Sequence, residues 1–436
     1  MKFHLQSGGS LTGQTRVPGD KSISHRAIML GSLADGDTHI SGFLEGEDAL
    51  ATVAAFRAMG VVIDGPRDGV VTVHGVGLDG LQAPSAALDL GNAGTGMRLL
   101  CGVLAGQTFS TQLTGDASLC SRPMGRVIDP LTAMGAHIDA DEGGRPPLRI
   151  SGGHALHGID YMLPMASAQV KSCVLLAGLY ASGETAVTEP APTRDHTERM
   201  LGGFGYTLHR EGNRVALAGG GRLRGCRIDI PADISSAAFF LVGASIAPGS
   251  DLELTHVGVN PTRTGVINIL REMGADIELR NTREVGGEPV ADIRVRYAAL
   301  HGIDIPLQQV PLAIDEFPAL FIAAACAQGR TTLRGAEELR VKESDRIAAM
   351  AEGLATLGVR STVLDDGIVI EGGTLGGGEV RTHHDHRIAM SFAIAALRAT
   401  APITVLDCDH VATSFPGFDT LAAAAGLRIA AVEDER

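Results

Sequence analysis

Six copies of one short pattern limit what this chain can fold into. FRAMGVVID (56–64), LTAMGAHID (131–139) and LREMGADIE (270–278) are close copies; LGGFGYTLH (201–209), LATLGVRST (354–362) and LAAAAGLRI (421–429) are looser ones. Their central glycines are Gly60, Gly135, Gly205, Gly274, Gly358 and Gly426. Each copy reads as a helix that stops where glycine takes the left-handed C′ conformation, after which a strand begins. DGVVTVHGVG (68–77), GNRVALAGGG (212–221) and DGIVIEGG (366–373) then read as second arms of hairpins.

Ahead of each copy lies another helical run, rich in small residues: KSISHRAIMLGSLADG, GTGMRLLCGVLAGQ, SAQVKSCVLLAGLYASG, SSAAFFLVGASIAPG, DEFPALFIAAACAQG and DHRIAMSFAIAALRAT. Several follow a strand-like lead, as in ALDLGNAG, RIDIPADIS and IPLQQVPLAIDE. The unit is therefore strand, helix, strand, helix and two strands, repeated with a period of ~70 residues, longer than most solenoid repeats. A chain of 436 residues exceeds one ordinary hydrophobic core, so the six units divide into two α/β domains of three. The first is expected over residues 19–227 and the second over 1–18 plus 228–436. The sixth unit runs out of chain before its hairpin, and residues 1–17 are expected to supply the missing strands.

The net charge of −14 argues against a nucleic-acid partner, and an anionic substrate would need a local basic cleft. The six cysteines form no CxxC pair and read as reduced thiols of a cytoplasmic protein. The first ten residues hold no apolar signal core, and no apolar stretch approaches the ~18 residues of a membrane span.

The unusual polar residues gather where the small-residue helices start. They are Lys21, Ser22 and Arg26; Asn92, Gly94, Thr95 and Arg98; Ser167, Gln169 and Lys171; Asp233, Ser235 and Ser236; Asp315 and Glu316; and Asp385, His386 and Arg387. Helix starts present free N–H groups and a partial positive charge, so several aimed into one cleft would bind anions. Ser22, Asp233, Ser235 and Ser236 taken alone read as ordinary N-caps, and Asp315 reads equally well as a cap or a catalytic carboxylate. Capping does not explain Lys21, Arg26 and Arg387, which the helix dipole disfavours there. The second helices have basic first turns too, at Arg122, Arg194 and the Lys342, Glu343 and Arg346 group. In that last group the i,i+4 spacing of Glu338, Lys342 and Arg346 also fits a solvated charged face. His383, His384 and His386 lack the spacing of a zinc helix.

PGDKSISHRAIML, GNAGTGMRLL, SRPM, SAQVKS, RVKESDRI and DHRIAMSF resemble, in order from about residue 16 to 418, the motifs of the 5-enolpyruvylshikimate-3-phosphate synthase family. SAQVKS, PTRDHTERM and DEFP are nearer its bacterial class II form. The resemblance implies the two-domain enolpyruvyl-transferase fold, an inside-out α/β barrel with three βαβαββ units per domain. It implies transfer of the enolpyruvyl group of phosphoenolpyruvate to shikimate 3-phosphate, with no metal or organic cofactor, by a monomer whose domains close on the substrates. It implies that Lys21 contacts both substrates and that Ser22 and Arg26 hold the shikimate carboxylate and hydroxyls. Ser167, Ala168, Gln169 and Arg194 would hold the 3-phosphate, and Lys342 a ring hydroxyl. Gly94, Arg122, Gln169, Arg346 and Arg387 would hold phosphoenolpyruvate, with Asn92 and Thr95 in the same binding set. Asp315 would take the proton of the 5-hydroxyl, and Glu343 would deliver one to the methylene carbon.

Thr413 stands where many members have Lys, and Gly94 where class II members often have Ala, which implies sensitivity to glyphosate. The sister transferase acting on UDP-N-acetylglucosamine is the nearest alternative. It carries a Cys five residues before the Arg of its RP loop; relative to Arg122 that position is Ala117, and Cys120 is out of register. A non-catalytic repeat scaffold would not need cations at so many helix starts.

Overall fold

A computed structural model describes residues 1–433 and places the chain in two compact units. The first comprises Gly19–Ile230 and Val285–Gly287; the second comprises Met1–Pro18, Pro231–Glu284 and the chain from Glu288 onward.

Each unit holds three small sheets built to one plan. In the first unit, strands Leu88–Asp89, Thr111–Thr114, Arg145–Ser151 and His137–Asp141 lie side by side in that order, the first pair parallel and the others antiparallel. Asp160–Met162, Glu184–Thr188, Arg214–Ala218 and His209–Glu211 repeat the arrangement. A buried helix crosses between the parallel strands, Gly94–Ala105 in one case and Ala168–Gly178 in the other. The third sheet contains Ala34–Ser41, Val70–Val76 and Val62–Arg67. Its parallel edge is filled by Leu223–Arg224 and Arg227–Asp229. The RIDIP segment, read from sequence as the lead of the fourth helix, therefore completes the sheet of the first.

The second unit closes in the same way. Thr12–Thr15 is the parallel edge of a sheet with Asp251–Gly258, Glu288–Arg296 and Asp276–Val285. Lys2–Leu5 lies between Ile403–Leu406 and Ile429–Val432, antiparallel to both, so Phe3 faces Val405 on one side and Ala431 on the other. The sheet of Arg330–Leu333, Gly367–Glu371 and Ser361–Leu364 has its parallel edge reduced to bridges at His301 and Asp304. Sequence pattern alone expects a strand in IPLQQVPLAIDE; the structure has a short 3-10 turn, Leu307–Gln309. Pro306 and Pro311 flank it and can donate to no ladder.

The six repeat glycines all have φ between +80° and +120°, and an outer helix ends just before each. The inner helices are apolar all round and buried, as FFLVGASI in Ile234–Ile246 and FPALFIAAAC in Phe317–Cys326 show. Gly102 permits one close crossing: a Cβ there would lie 2.2 Å from the carbonyl oxygen of Cys173 on the neighbouring helix. Among the described residues, no helix is long and apolar enough to cross a membrane.

Candidate active-site clusters

In the first unit, Asp20 caps the Lys21–Leu33 helix, its carboxylate accepting from the amide of Ile23 at 2.9 Å. Ser22 is therefore not the cap; it lies within the first turn, and its carbonyl accepts from Arg26 at 2.9 Å. The Lys21 ammonium, placed against the helix dipole, is 2.8 Å from Asp48, near the start of the Glu47–Ala58 helix. Arg26 is buried and also donates to Thr197 Oγ1 at 2.7 Å and Ser172 Oγ at 2.8 Å.

One turn beyond Lys21, His25 reaches Thr52 Oγ1 at 2.7 Å, one turn beyond Asp48. Its Nε2 has no hydrogen-bond partner among the described residues. Burial, reinforced by the charges of Lys21 and Arg26, lowers its pKa from 6.5 to about 3. Between those values the unfolded chain binds a proton that the folded chain does not, so stability falls as pH drops below 6.5. The loss approaches ~1.4 kcal/mol per pH unit. Denaturant unfolding at pH 7, 6 and 5 is expected to show the wild type losing more stability than His25→Gln. A difference that stays constant with pH would refute this.

The starts of the other two inner helices of this unit are wired together. Gln169 donates to Thr95 Oγ1 at 2.9 Å and accepts from Arg98 at 2.9 Å, which fixes its amide at both ends. Arg122 donates to Asn92 Oδ1 at 2.6 Å and Ser118 Oγ at 3.0 Å, and Asn92 donates to Asp116 at 2.8 Å. Gly94 opens its helix at an ordinary φ; a Cβ there would meet Arg122 Nη1 at 3.0 Å and Arg98 Nη1 at 3.1 Å. Ser167 caps the helix that begins at Ala168, accepting from Val170. Arg194 is half-buried on the loop before the His196–Gly203 helix.

The second unit gathers Asp315, Lys342, Glu343, Arg346 and Arg387. Asp315 is not a cap, since Glu316 holds the residue position before the Phe317–Cys326 helix. Its carboxylate is instead 3.5 Å from both Lys342 and Arg346, and its carbonyl accepts from Arg387 at 3.0 Å. The solvated-face reading of Lys342 and Arg346 fails as well. Lys342 follows a 3-10 turn and still meets Glu338 at 2.7 Å, whereas Arg346 opens a separate helix and is 1% exposed. Arg346 lies 2.8 Å from Asp385 and 2.6 Å from Glu343. Burial opposes its charge, but Asp385, Glu343 and Asp315 outweigh burial and raise its pKa above the usual arginine value. Asp385 also caps the His386–Ala395 helix, and Asp233 caps Ile234–Ile246, with Ser235 and Ser236 inside that helix. Ser235 donates to buried Glu316. Thr413 is buried and donates to the carbonyl of His410 at 2.7 Å. His383 meets Glu352, and His384 lies edge-on to His410. Among the described residues no group of three or more His, Cys, Asp or Glu side chains is arranged for a metal ion.

Asp48, Asp116 and Ser118 escape sequence reasoning. Asp48 reads locally as an acid favoured in a helix's first turn, and only the tertiary pairing reveals its cation.

Residues 5–421 match the family model described as EPSP synthase (3-phosphoshikimate 1-carboxyvinyltransferase). The chain belongs to the EPSP synthase family. A 3-phosphoshikimate 1-carboxyvinyltransferase of Alkalilimnicola ehrlichii is 70% identical over 430 residues, covering 98% of this chain and 96% of that protein. The Methylococcus capsulatus protein of the same name is 68% identical, covering 98% of each chain. The EPSP synthase structure from Acinetobacter baumannii superposes with a TM-score of 0.89 at 59% identity, over 98% of this chain and 99% of that one. The enolpyruvyl transferase NikO of Streptomyces tendae shares the fold, with a TM-score of 0.80 at 17% identity over 98% of each chain. The repeat plan and the enolpyruvyl-transferase fold expected of the EPSP synthase family are thus present in this chain.

Proposed function

We propose that this chain transfers the enolpyruvyl group of phosphoenolpyruvate to the 5-hydroxyl of shikimate 3-phosphate, giving 5-enolpyruvylshikimate 3-phosphate and phosphate. This is a step towards chorismate and the aromatic amino acids. The observation that carries the reading is the near full-length identity of 70% to a protein named for that reaction. The cations of the two units, Lys21, Arg122 and Arg194 in the first and Lys342, Arg346 and Arg387 in the second, suit multiply charged anions, because guanidinium forks pair with phosphates and carboxylates.

In this reading Lys21 touches both substrates, while Ser22 and Arg26 hold the shikimate ring. Ser167, the Ala168 amide, Gln169 and Arg194 hold the 3-phosphate, and Lys342 a ring hydroxyl. Gly94, Arg122, Gln169, Arg346 and Arg387 hold phosphoenolpyruvate, with Asn92 orienting Arg122 and Thr95 orienting Gln169. Asp315 removes the 5-hydroxyl proton as that oxygen attacks C2, and Glu343 protonates C3, giving a tetrahedral intermediate. Loss of a C3 proton with expulsion of phosphate completes the transfer. No metal or cofactor enters these steps. We further propose that the enzyme works as a cytoplasmic monomer. Phosphate release is expected with shikimate 3-phosphate as acceptor and not with UDP-N-acetylglucosamine; the reverse result would overturn the reading.

Glyphosate is expected to inhibit. Gly94 needs no special backbone conformation, so Ala can occupy the position if the flexible ends of Arg122 and Arg98 yield a few tenths of an ångström. Overpacking a tight site costs ~1–3 kcal/mol. A methyl there would burden the longer inhibitor more than phosphoenolpyruvate. Gly94→Ala is therefore expected to raise the glyphosate inhibition constant by a larger factor than KM for phosphoenolpyruvate. Equal factors would refute the steric argument.

A further inference from the structure

We propose that Lys171, which takes no part in the reaction steps above, is a positioning residue that fixes Arg194 for the 3-phosphate. The inference rests on the reading of Arg194 as a phosphate ligand.

The Lys171 side chain is fully buried, with its ammonium 3.0 Å from Glu189 Oε2 and 2.8 Å from Glu198 Oε1. These two acids bracket Arg194 in the sequence. Glu189 directly follows the strand Glu184–Thr188, and Glu198 lies in the helix His196–Gly203. Both ends of the segment that carries Arg194 therefore meet one cation. Thr193, the residue before Arg194, donates to the other oxygen of Glu189. Thr197 donates to Ser172 Oγ at 2.7 Å, and Ser172 is the neighbour of Lys171. The segment is thus tied at residues 189, 193, 197 and 198.

The other end of the tie is the helix whose start carries Ser167, Ala168 and Gln169. The Lys171 amide donates to the Ser167 carbonyl at 3.1 Å, so its side chain springs from the turn that Ser167 caps. One side chain links the two elements proposed to hold the same phosphate.

The choice of residue is informative. An apolar pin would join these elements without removing three charges from water, and a buried ion cluster is a poor source of net stability. What the cluster supplies is geometry: two carboxylates have one place to go, and the loop between them can adopt few others. Both carboxylates also carry charge of the sign a bound phosphate carries, so a loosened segment would repel the ligand as well as misplace Arg194.

Steady-state kinetics on the full chain test this, with each substrate varied in turn for the wild type, Lys171→Met, Arg194→Ala and the double variant. Loss of one charged phosphate contact corresponds to a rise of ~10-fold or more in KM for shikimate 3-phosphate. Lys171→Met is expected to show that rise, with KM for phosphoenolpyruvate unchanged and kcat little altered. The double variant is expected to be no worse than Arg194→Ala alone. A plain structural role would lower the melting temperature and the active fraction and leave both KM values unmoved; that result overturns the proposal. So do multiplying effects in the double variant. If Arg194→Ala itself leaves KM for shikimate 3-phosphate unchanged, the phosphate assignment falls and takes the proposal with it. Glu198→Gln cuts the tie at one end while keeping the side chain's shape. It is expected to show the same selective rise in milder form, and provides the readout if Lys171→Met does not fold.

Discussion

Asp315→Asn is expected to lower turnover by ~100-fold or more while both KM values stay within a few-fold. The amide keeps the shape of the carboxylate, and its oxygen can still face Lys342 and Arg346, each 3.5 Å away in the native protein. What it loses is the ability to accept a proton. Glu343→Gln is expected to act likewise, since Gln retains an acceptor for Arg346 but has no proton to give to C3. Every turnover passes through protonation at C3 and elimination from the resulting methyl group, so in deuterated solvent the residual turnover of either variant is expected to carry label in the methylene. Near-normal turnover in either variant would overturn that residue's role.

Asp385→Ala has the second large effect, on stability. Asp385 has no exposed surface; it caps one helix and faces Arg346, which opens another and is itself buried. Removing one member of a buried pair strands the other charge at a cost of ~3–5 kcal/mol, and the lost cap adds ~1 kcal/mol. For a unit of this size the melting temperature is expected to fall by roughly 8–24 °C. Asp385→Asn keeps an acceptor for the cap and for one Arg346 N–H, so its fall is expected to be smaller. Equal melting temperatures for the wild type and Asp385→Ala would show that Arg346 finds another counter-charge.

The repeat plan is legible in sequence because it rests on local physics. A glycine at C′ and an apolar helix leave signatures within ten residues, and all six glycines the pattern picks out have positive φ. The edges of the sheets are not local. Arg227–Asp229 reads as the start of the fourth unit, yet it pairs some 190 residues back, with His39, Ile40 and Ser41. Site residues divide along the same line. Lys21, Arg26 and Arg387 stand out because capping cannot account for cations at helix starts. The carboxylates that answer Lys21 and Lys171, namely Asp48, Glu189 and Glu198, look like ordinary acids until tertiary pairing brings them to their lysines. Asp315 shows the limit most plainly. Its neighbourhood suits a cap and a catalytic carboxylate equally well, and only the folded helix, with Glu316 in the cap position, shows that it is not a cap.

Lys2–Leu5 is an inner strand whose neighbours on both sides come from the last part of the chain. On the ribosome it emerges about 400 residues before those neighbours, which at ~5–20 residues per second is a wait of roughly 20–80 s. Residues 19–230, which hold every strand of their unit's three sheets, emerge in the meantime. The nascent chain thus carries a strand of alternating burial, Phe3 and Leu5 inward, whose neighbours are not yet made. A circular permutant that appends residues 1–18 after residue 436 would remove the wait. Faster recovery of activity after synthesis by such a permutant would measure how much that delay costs the cell.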